Sequence, residues 1–350
     1  MSMEQAGDTA GAAGELAAVM IGDIRRAGGR ISFERFMELA LYHPALGYYA
    51  CSPGIGSAGD FFTSVSVGSL YGRILARQFR KYRASMGTPH DFQVVELGGH
   101  RGQLRADVLT EAPELPYIMV EAGGTVPDGI TGCIVSNELL DAFPVHRVRV
   151  VEGRWQELYV TETSSGGQSF TEVAGDLSTP RLAERLDGLP VSLMEGYTTE
   201  INLRATDWIT DMARRLQRGY LITVDYGYER GEFYAPHRRE GTLLCHFKHT
   251  ANRDPFVRIG HQDITAHVDF TSVMEAGRKA GLETILFCDQ SRFLLEAGRE
   301  LVEELVALEA GKWSPERNQL HQLIHPTLMG RTFKVLVQRK TASNSPASAP

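Results

Sequence analysis

Cysteine and positive charge are both scarce in this sequence. Its 350 residues include 4 cysteines, Cys51, Cys133, Cys245 and Cys288, which lie far apart and form no C-x-x-C pair. This spacing excludes a disulfide framework or a zinc knuckle and favours a reducing compartment. Lysine and arginine total 36 against 43 aspartates and glutamates, which leaves a net charge of −7. A surface of that charge argues against nucleic acid as a partner.

Long apolar runs and targeting signals are also missing. No segment approaches the ~18 apolar residues that a membrane-spanning helix needs, and the N-terminus lacks a basic segment followed by an apolar one. We therefore expect a soluble protein in the cytoplasm. The hydrophobic fraction of 43% is sufficient for the core of one large domain or two smaller ones.

The 11 histidines form no recognisable metal motif. The closest pairs, His246 with His249 and His321 with His325, lack the acidic H-E-x-x-H arrangement. We therefore predict no metal site.

The hydrophobic pattern predicts an α/β fold. Short apolar runs at 92–97, 117–121, 132–137 and 220–227 alternate with helical patterns, as in a parallel sheet with helices on both faces. The later segments 241–247, 283–288 and 332–338 are expected to complete this sheet. Between them, residues 145–175 alternate polar and apolar positions, which predicts a β-hairpin insertion.

The same pattern suggests a division of the chain. We expect a disordered N-terminus over 1–14, an N-terminal helical region over 15–90, a Rossmann-like domain over 91–340 and a disordered tail over 341–350. The helical region should contain helices at 15–27, at 33–42 with Ser32 as N-cap, and at 67–83.

Ligands of an open parallel sheet bind beyond the carboxyl ends of the strands. The first such end reads ELGGHRG over 96–102, where glycines allow close backbone approach and a helix N-terminus follows. The dinucleotide fingerprint G-x-G-x-x-G is absent, because residues 100 and 103 are His and Gln. The spacing instead resembles the E-x-G-x-G-x-G turn of S-adenosylmethionine-dependent methyltransferases, with His100 in place of the middle glycine.

Acidic residues follow the other strands. Glu121 ends the second strand, where a carboxylate can bind both hydroxyls of a ribose. Asn137, Glu138 and Asp141 follow the third strand, and two carboxylates three residues apart can face one side of a helical turn. Asp225 follows the fourth. A helix N-cap for Asn137 and a loop salt bridge for Asp225 stay open as alternatives.

Six segments in order resemble the MidA-like methyltransferase family. They are GDFFT at 59–63, the helix with Leu70, Tyr71 and Gly72, VVELGGHRGQL, SNELLDAFPVH, TVDYGY, and DITAHVDF at 263–270. The resemblance covers about residues 30 to 340. It implies a Rossmann-like methyltransferase fold and S-adenosylmethionine as cofactor. The mitochondrial branch of the family is a protein arginine methyltransferase that assists assembly of respiratory complex I, so a protein substrate, such as a respiratory-complex subunit, is also implied.

Glu138 is the expected clamp for the substrate. A guanidinium is a planar fork that stays protonated, so an arginine methyltransferase needs a carboxylate to grip two of its nitrogens. Most of the rate should come from alignment of nucleophile, methyl and sulfur. The resemblance implies that Glu96, Gly98, Gly102 and Glu121 bind the cofactor and that Asn137, Glu138 and Asp141 lie beside the transferred methyl. We also expect Gly99 and Asn137 to bind the cofactor, Asp60, Thr63, Asp225 and Tyr226 to bind the substrate, and Glu138, Asp141 and His267 to be catalytic. For His267, which could contact the substrate or accept a proton late, a hydrogen-bonded position in a structural loop stays open as the alternative.

Three departures mark the chain as a divergent member of the family. His100 places an imidazole where the backbone normally lies against the cofactor, and Ser66 falls in a segment where the family usually carries an acid. The segment between the second and third strands is too short for a helix and a strand, which should leave the adenine side open. A catalytically diverged protein that binds a partner or assists complex assembly is the main alternative. A nucleotide-dependent oxidoreductase lacks its fingerprint.

Overall fold

The computed structural model describes residues 3–51, 63–163, 169–191, 193–307 and 314–341 of the chain. Its helices are α1 (Met3–Arg26), α2 (Phe33–Tyr42), α3 (Tyr48–Cys51), α4 (Leu70–Ser85), α5 (Gln103–Glu111), α6 (Pro180–Leu186), α7 (Leu203–Arg215), α8 (Arg230–Phe233), α9 (Phe270–Lys279), α10 (Gln290–Ala297), α11 (Arg299–Ala307) and α12 (Pro315–Ile324). Short 3₁₀ helices cover Val65–Val67, His100–Gly102 and Pro236–Arg238.

The strands are β1 (Ile31–Ser32), β2 (Phe92–Leu97), β3 (Tyr117–Val120), β4 (Ile130–Asn137), β5 (His146–Val151), β6 (Arg154–Glu162), β7 (Phe170–Gly175), β8 (Thr198–Ile201), β9 (Leu216–Tyr228), β10 (Leu244–Phe247), β11 (Thr250–Asn252), β12 (Asp263–Thr265), β13 (Val268–Asp269), β14 (Glu283–Asp289) and β15 (Phe333–Lys340). Every strand predicted from an apolar run is present, with ends that differ by a few residues. Helix α1 begins at Met3, inside the segment expected to be disordered, and its alanine-rich sequence favours that helix.

The chain divides into two compact units, each discontinuous in sequence. Unit 1 comprises Met1–Phe62, Leu140–Ala205 and Tyr228–Asp269, and unit 2 comprises Thr63–Leu139, Thr206–Gly227 and Phe270–Pro350. This division differs from the one read along the sequence. Helix α4, assigned there to the N-terminal region, belongs to unit 2, because its apolar face packs against α5 and β4.

Unit 2 contains the sheet with the strand order β14-β15-β9-β4-β2-β3. Strands β3, β2, β4 and β9 are parallel, as predicted. At the other edge, β15 runs antiparallel to both β9 and β14, so the parallel pairing expected for the first strands ends at β9. Most residues of β15 are buried, so its apolar run looks the same as that of a parallel strand.

The core of unit 2 explains why α4 forms where it does. Leu70, Ile74 and Phe79 recur at helical spacing and are fully buried against strand residues such as Val135 and Ile222. Burial of each such side chain contributes roughly 1.5–3 kcal/mol. Helix α4 is therefore held firmly beside the carboxyl ends of the central strands.

Unit 1 is built around two antiparallel sheets. One has the order β1-β6-β5-β8 with β7 on β6, which contains the predicted hairpin insertion. The other has the order β11-β10-β12. The expectation that residues 241–247 complete the main sheet is therefore wrong: β10 bonds to β11 and β12, and its short run of apolar residues does not reveal its partners. Helix α2 begins as predicted, with the Ser32 hydroxyl accepting the Arg35 amide at 3.1 Å. No helix in the described ranges is long and apolar enough to cross a membrane.

Candidate active site

Glu96 is the last residue but one of β2 and lies beneath the glycine-rich turn. It is 4% exposed, and its carboxylate accepts a hydrogen bond from the Tyr117 hydroxyl at 2.9 Å. Burial raises the pKa of Glu96 to about 7, against the lowering effect of that hydrogen bond. A Cβ atom on Gly99 would lie 2.6 Å from the Glu96 Oε1 atom, so the turn lies directly against this carboxylate.

The turn itself depends on its glycines. Gly98 has a φ of +72° and Gly102 a φ of +67°, both in the left-handed region. A Cβ atom on Gly98 would also lie 2.8 Å from the Leu139 Cδ1 atom. The Gly102 amide donates to the Gly99 carbonyl at 2.8 Å, and α5 starts at the next residue. The backbone at 98–102 therefore forms a compact turn that leads into a helix N-terminus.

Glu121 lies at the edge of the same sheet, directly after β3. It is exposed, and among the described strands β3 pairs only with β2. The Gly98 amide donates to the Val120 carbonyl at 2.9 Å, which places the end of β3 beside the glycine turn. Residues 121–129 form no helix or strand, so this side of the site is as short as the sequence predicts.

Glu138 follows β4 in an unusual backbone conformation. Its φ is 51°, and its amide donates to the Val224 carbonyl at 2.8 Å. The carboxylate atom Oε1 accepts the Ser64 amide at 3.1 Å and the Asn137 Nδ2 group at 2.8 Å. The other oxygen, Oε2, is buried and has no hydrogen-bond partner within the part of the chain that the structure describes.

This environment disfavours the charged form of Glu138. Burial raises the pKa of its carboxyl to about 8, and the nearby Asp225 acts in the same direction. The hydrogen bonds from Ser64 and Asn137 lower it only partly. A strongly shifted carboxyl at a strand end is typical of a functional group.

The predicted helical turn that pairs Glu138 with Asp141 does not form. The positive φ of Glu138 interrupts the helical conformation, and residues 138–141 are not helical. Asp141 belongs to unit 1, where it is buried and its carbonyl accepts the Ala266 amide at 2.9 Å. The spacing of the two acids therefore does not put them on one helix face.

Asp225 fixes the loop that carries Glu138. It is fully buried; its Oδ2 atom accepts the Leu139 amide at 3.2 Å and its Oδ1 atom accepts the Tyr226 amide at 2.8 Å. The Tyr226 ring packs 4.0 Å from the ring of Phe333. Asp225 therefore lies within β9, three residues before its end, and joins the amide of Tyr226 in β9 to that of Leu139 after β4.

A turn formed by Thr63 and Ser66 supports Glu138 from the opposite side. The Thr63 amide donates to the Ser66 hydroxyl at 2.9 Å, and the Ser66 amide donates to the Thr63 hydroxyl at 3.1 Å. Between them, Ser64 is fully buried and its hydroxyl bonds to the Gln290 Oε1 atom at 2.9 Å. Ser66, where the family acid was expected, therefore closes the turn that presents the Ser64 amide to Glu138.

Sequence reasoning missed Ser64 and Gln290 as parts of this site, and it gave Tyr71 no role. The Tyr71 hydroxyl donates to the Asn137 Oδ1 atom at 2.6 Å. Asn137 is thus engaged with Tyr71 and Glu138 and caps no helix, since none follows it. Only the quoted motif with Leu70, Tyr71 and Gly72 could have drawn attention to this helix.

His267 lies in unit 1. Its amide donates to the Thr242 hydroxyl at 3.1 Å, and its ring lies 5.3 Å from that of Tyr228. Burial, followed by the charge of Arg238, lowers the pKa of His267 to about 4, so the ring is neutral at pH 7. Asp60 and the side chain of His100, including the crowding predicted from its imidazole, lie outside the described residues.

The histidine pairs and the cysteines lie in no cluster of possible metal ligands among the described residues. The rings of His321 and His325 lie 4.7 Å apart, but no group of three histidine, cysteine, aspartate or glutamate side chains there could hold a metal ion. The four cysteines are free, and Cys133, Cys245 and Cys288 are buried.

Comparison with known proteins identifies the family. A family model described as "Putative S-adenosyl-L-methionine-dependent methyltransferase" matches residues 120–288. A crystal structure from Burkholderia thailandensis with bound S-adenosylhomocysteine aligns with a TM-score of 0.88 and 32% identity, covering 96% of this chain and 94% of that chain. The chain belongs to the MidA-like family of S-adenosylmethionine-dependent methyltransferases.

Relatives of this methyltransferase carry a more specific name. The Drosophila melanogaster protein named protein arginine methyltransferase NDUFAF7 homolog, mitochondrial, is 28% identical, covering 88% of this chain and 81% of the relative. The Mus musculus protein named protein arginine methyltransferase NDUFAF7, mitochondrial, is 24% identical, covering 87% of this chain and 80% of the relative. The Burkholderia structure and the family model together show that the methyltransferase has the predicted α/β fold and uses S-adenosylmethionine as its cofactor.

Proposed function

We propose that this methyltransferase modifies an arginine side chain of a protein, and that Glu138 holds the guanidinium. The buried Oε2 atom of Glu138, which has no hydrogen-bond partner among the described residues, carries the proposal. The Drosophila and mouse relatives, which are named protein arginine methyltransferases, support the choice of substrate.

The two oxygens of Glu138 have different surroundings. Oε1 is held by two donors, from Ser64 and Asn137, whereas Oε2 has none among the described residues. A buried carboxylate oxygen without a donor costs free energy until a donor reaches it. A guanidinium supplies both N–H donors and the positive charge that a buried carboxylate lacks.

The raised pKa of Glu138 fits a group that becomes charged when a cation arrives. With a pKa of about 8, the carboxyl is mostly protonated at pH 7 before substrate binds. An adjacent guanidinium favours the carboxylate and lowers that pKa. The resulting ion pair localises positive charge away from the attacking nitrogen, and Oε2 can take up the proton that this nitrogen gives up on methylation.

The glycine turn fits the cofactor in this proposal. Gly98, Gly99 and Gly102 have no side chains between the backbone and a ligand, α5 starts beside the turn, and the exposed Glu121 can accept hydrogen bonds from ribose hydroxyls. When bound, S-adenosylmethionine supplies an electrophilic methyl group on a positively charged sulfur. Glu96 supports the turn from below through its contact with Gly99.

The finer parts of the proposal are predictions from the sequence. They include contacts to the cofactor by Asn137, to the reacting groups by Asp141 and His267, and to the substrate by Asp60, Thr63, Asp225 and Tyr226. A respiratory-complex subunit as substrate and a cytoplasmic location also remain predictions. Pull-down of methylated proteins from cells with and without the gene tests the substrate, and cell fractionation tests the location.

Transfer of a labelled methyl group tests the proposed reaction. The purified full chain is incubated with S-adenosylmethionine carrying a tritiated methyl and with lysate proteins from cells that lack the gene; the proteins are then hydrolysed and their amino acids separated. We expect label in methylarginine. Label in another amino acid would overturn the choice of arginine. Absence of label despite cofactor binding would favour the diverged, partner-binding alternative.

A further inference from the structure

Helix α4 reaches Glu138 through Asn137. The Tyr71 hydroxyl and the Asn137 Oδ1 atom are 2.6 Å apart, and the Asn137 Nδ2 and Glu138 Oε1 atoms are 2.8 Å apart. Burial raises the pKa of Tyr71 well above its usual value, and the charge of Glu138 adds to that effect. Tyr71 therefore stays protonated and can only be the donor in its bond to the Asn137 carbonyl oxygen.

This donation determines which way the Asn137 amide faces. An amide has a carbonyl oxygen that accepts and an NH₂ group that donates. With its oxygen held by Tyr71, Asn137 directs its NH₂ group at Glu138 Oε1. Without Tyr71, the amide is free to rotate and to place its oxygen against the carboxylate, where two acceptors repel each other.

Tyr71 is held rigidly enough for this role. Its side chain is 1% exposed and packs in the core of unit 2. At the next residue, a Cβ atom on Gly72 would lie 2.4 Å from the Asp107 Cβ atom, so α4 approaches α5 as closely as only glycine permits. The motif containing Tyr71 and Gly72 thus combines close helix packing with a hydroxyl at a fixed position.

We propose that Tyr71 is a positioning residue for Glu138. Through Asn137, Tyr71 keeps the Oε1 atom of Glu138 occupied and leaves Oε2 for the substrate. The role in catalysis rests on the proposed function of Glu138, whereas the hydrogen-bond chain does not. Among the described residues, the groups that act on Glu138 are the Ser64 amide, Asn137 with Tyr71 behind it, and the carboxylate of Asp225 from β9. Among them, Asp225 carries a charge of the same sign as Glu138.

The substitution Tyr71→Phe tests the proposal, because it removes the hydroxyl and keeps the ring. Its matched control is Tyr82→Phe on the same helix, where a buried tyrosine ring stacks on Tyr220 at 4.0 Å. The first readout is the titration of Glu138 by infrared spectroscopy, identified by the carboxyl band that disappears in Glu138→Gln. We expect a midpoint near 8 in the wild type and in Tyr82→Phe, and a midpoint roughly 0.5–1 pH unit higher in Tyr71→Phe.

A double-mutant cycle shows whether the effect passes through Asn137. Tyr71→Phe should produce no further shift in an Asn137→Ala background, since the connecting amide is already absent. A shift of equal size in both backgrounds, or no shift in Tyr71→Phe alone, would overturn the proposal. Should Tyr71→Phe fail to fold, the same infrared titration is made on Asn137→Ala. An unchanged Glu138 midpoint in that variant overturns the proposed hydrogen-bond chain from Tyr71 to Glu138.

Kinetics separate this proposal from that of arginine methylation. In Tyr71→Phe we expect kcat to fall about tenfold, as for the loss of one orienting hydrogen bond, with the KM for S-adenosylmethionine unchanged. The ascending limb of the pH profile of kcat/KM should shift in step with the infrared midpoint. A wild-type protein that methylates no arginine would refute the proposed function, while the infrared titration would still decide the role of Tyr71.

Discussion

Glu138→Gln is the substitution that most sharply separates a substrate clamp from a structural carboxyl. Glutamine has nearly the same shape, and its carbonyl oxygen can still accept the hydrogen bonds of Ser64 and Asn137 that Oε1 accepts now. The change therefore falls on the Oε2 position, where an acceptor becomes an NH₂ donor. A guanidinium, which has only donors, then meets another donor and no negative charge.

The size of the expected loss follows from the buried position of Oε2. A hydrogen bond to a charged group contributes about 1.5–3 kcal/mol, and a guanidinium left facing an unmatched donor adds about 1 kcal/mol or more. A total of about 2.5–4 kcal/mol corresponds to a fall of roughly 10²–10³ in kcat/KM for the arginine substrate, at 1.36 kcal/mol for each factor of ten.

The assay is transfer of labelled methyl, with cofactor affinity measured separately by calorimetry. Glu303→Gln, at an exposed position of α11 in the same unit, is the matched control and should behave as the wild type. The Kd for S-adenosylmethionine should change less than about twofold in both variants. An unchanged kcat/KM in Glu138→Gln would refute the clamp, and a large loss of cofactor affinity would show that Glu138 supports the cofactor site.

Two further predictions concern the glycine turn and the buried carboxyls. Gly98→Ala should weaken cofactor binding at least about tenfold, because the alanine would have a left-handed backbone and its Cβ atom would lie 2.8 Å from the Leu139 side chain. The control Gly87→Ala has a φ of +79° but open space around it, so it should retain cofactor affinity. Equal calorimetric Kd values for the two variants would count against the turn as the cofactor site. In the folded state the pKa values of Glu96 and Glu138 are about 7 and about 8, above the ordinary 4.5. Between these pH values the folded protein holds protons that the unfolded chain has released. The free energy of unfolding should therefore fall as pH rises from about 4.5 to 8. Urea denaturation at both ends of that range should show a smaller fall in Glu138→Gln, and an identical fall would contradict the raised pKa.

Local signals in the sequence predicted most of the elements of the fold. The apolar runs of β2, β4 and β9 and the helical spacing of Leu70, Ile74 and Phe79 were sufficient, because burial imposes these periods. Ser32 was correctly read as an N-cap, since capping depends on neighbours a few residues apart. The antiparallel direction of β15 was not visible and the sheet expected for β10 was wrong, because pairing is decided by residues far away in the sequence.

The site shows the same division between local and distant information. Apolar runs drew attention to Glu96, Glu121, Glu138 and Asp225 as candidates, because an acid after such a run is visible in one dimension, although β9 continues past Asp225 to Tyr228. Support from Ser64, Tyr71 and Gln290 was not visible, since each lies far from Glu138 along the chain. The helical pairing of Glu138 with Asp141 was wrong because spacing alone does not reveal a φ of 51°.

Proton release on substrate binding tests most directly whether Glu138 binds a guanidinium as a carboxylate. A peptide that the wild type methylates is titrated into the protein and S-adenosylhomocysteine at pH 7, by calorimetry in buffers of different ionisation enthalpy. With a free pKa of about 8, about 0.9 of the Glu138 carboxyls carry a proton at that pH, so we predict release of nearly one proton per bound peptide, and almost none in Glu138→Gln. Equal release by both proteins, or none by the wild type, would contradict this account.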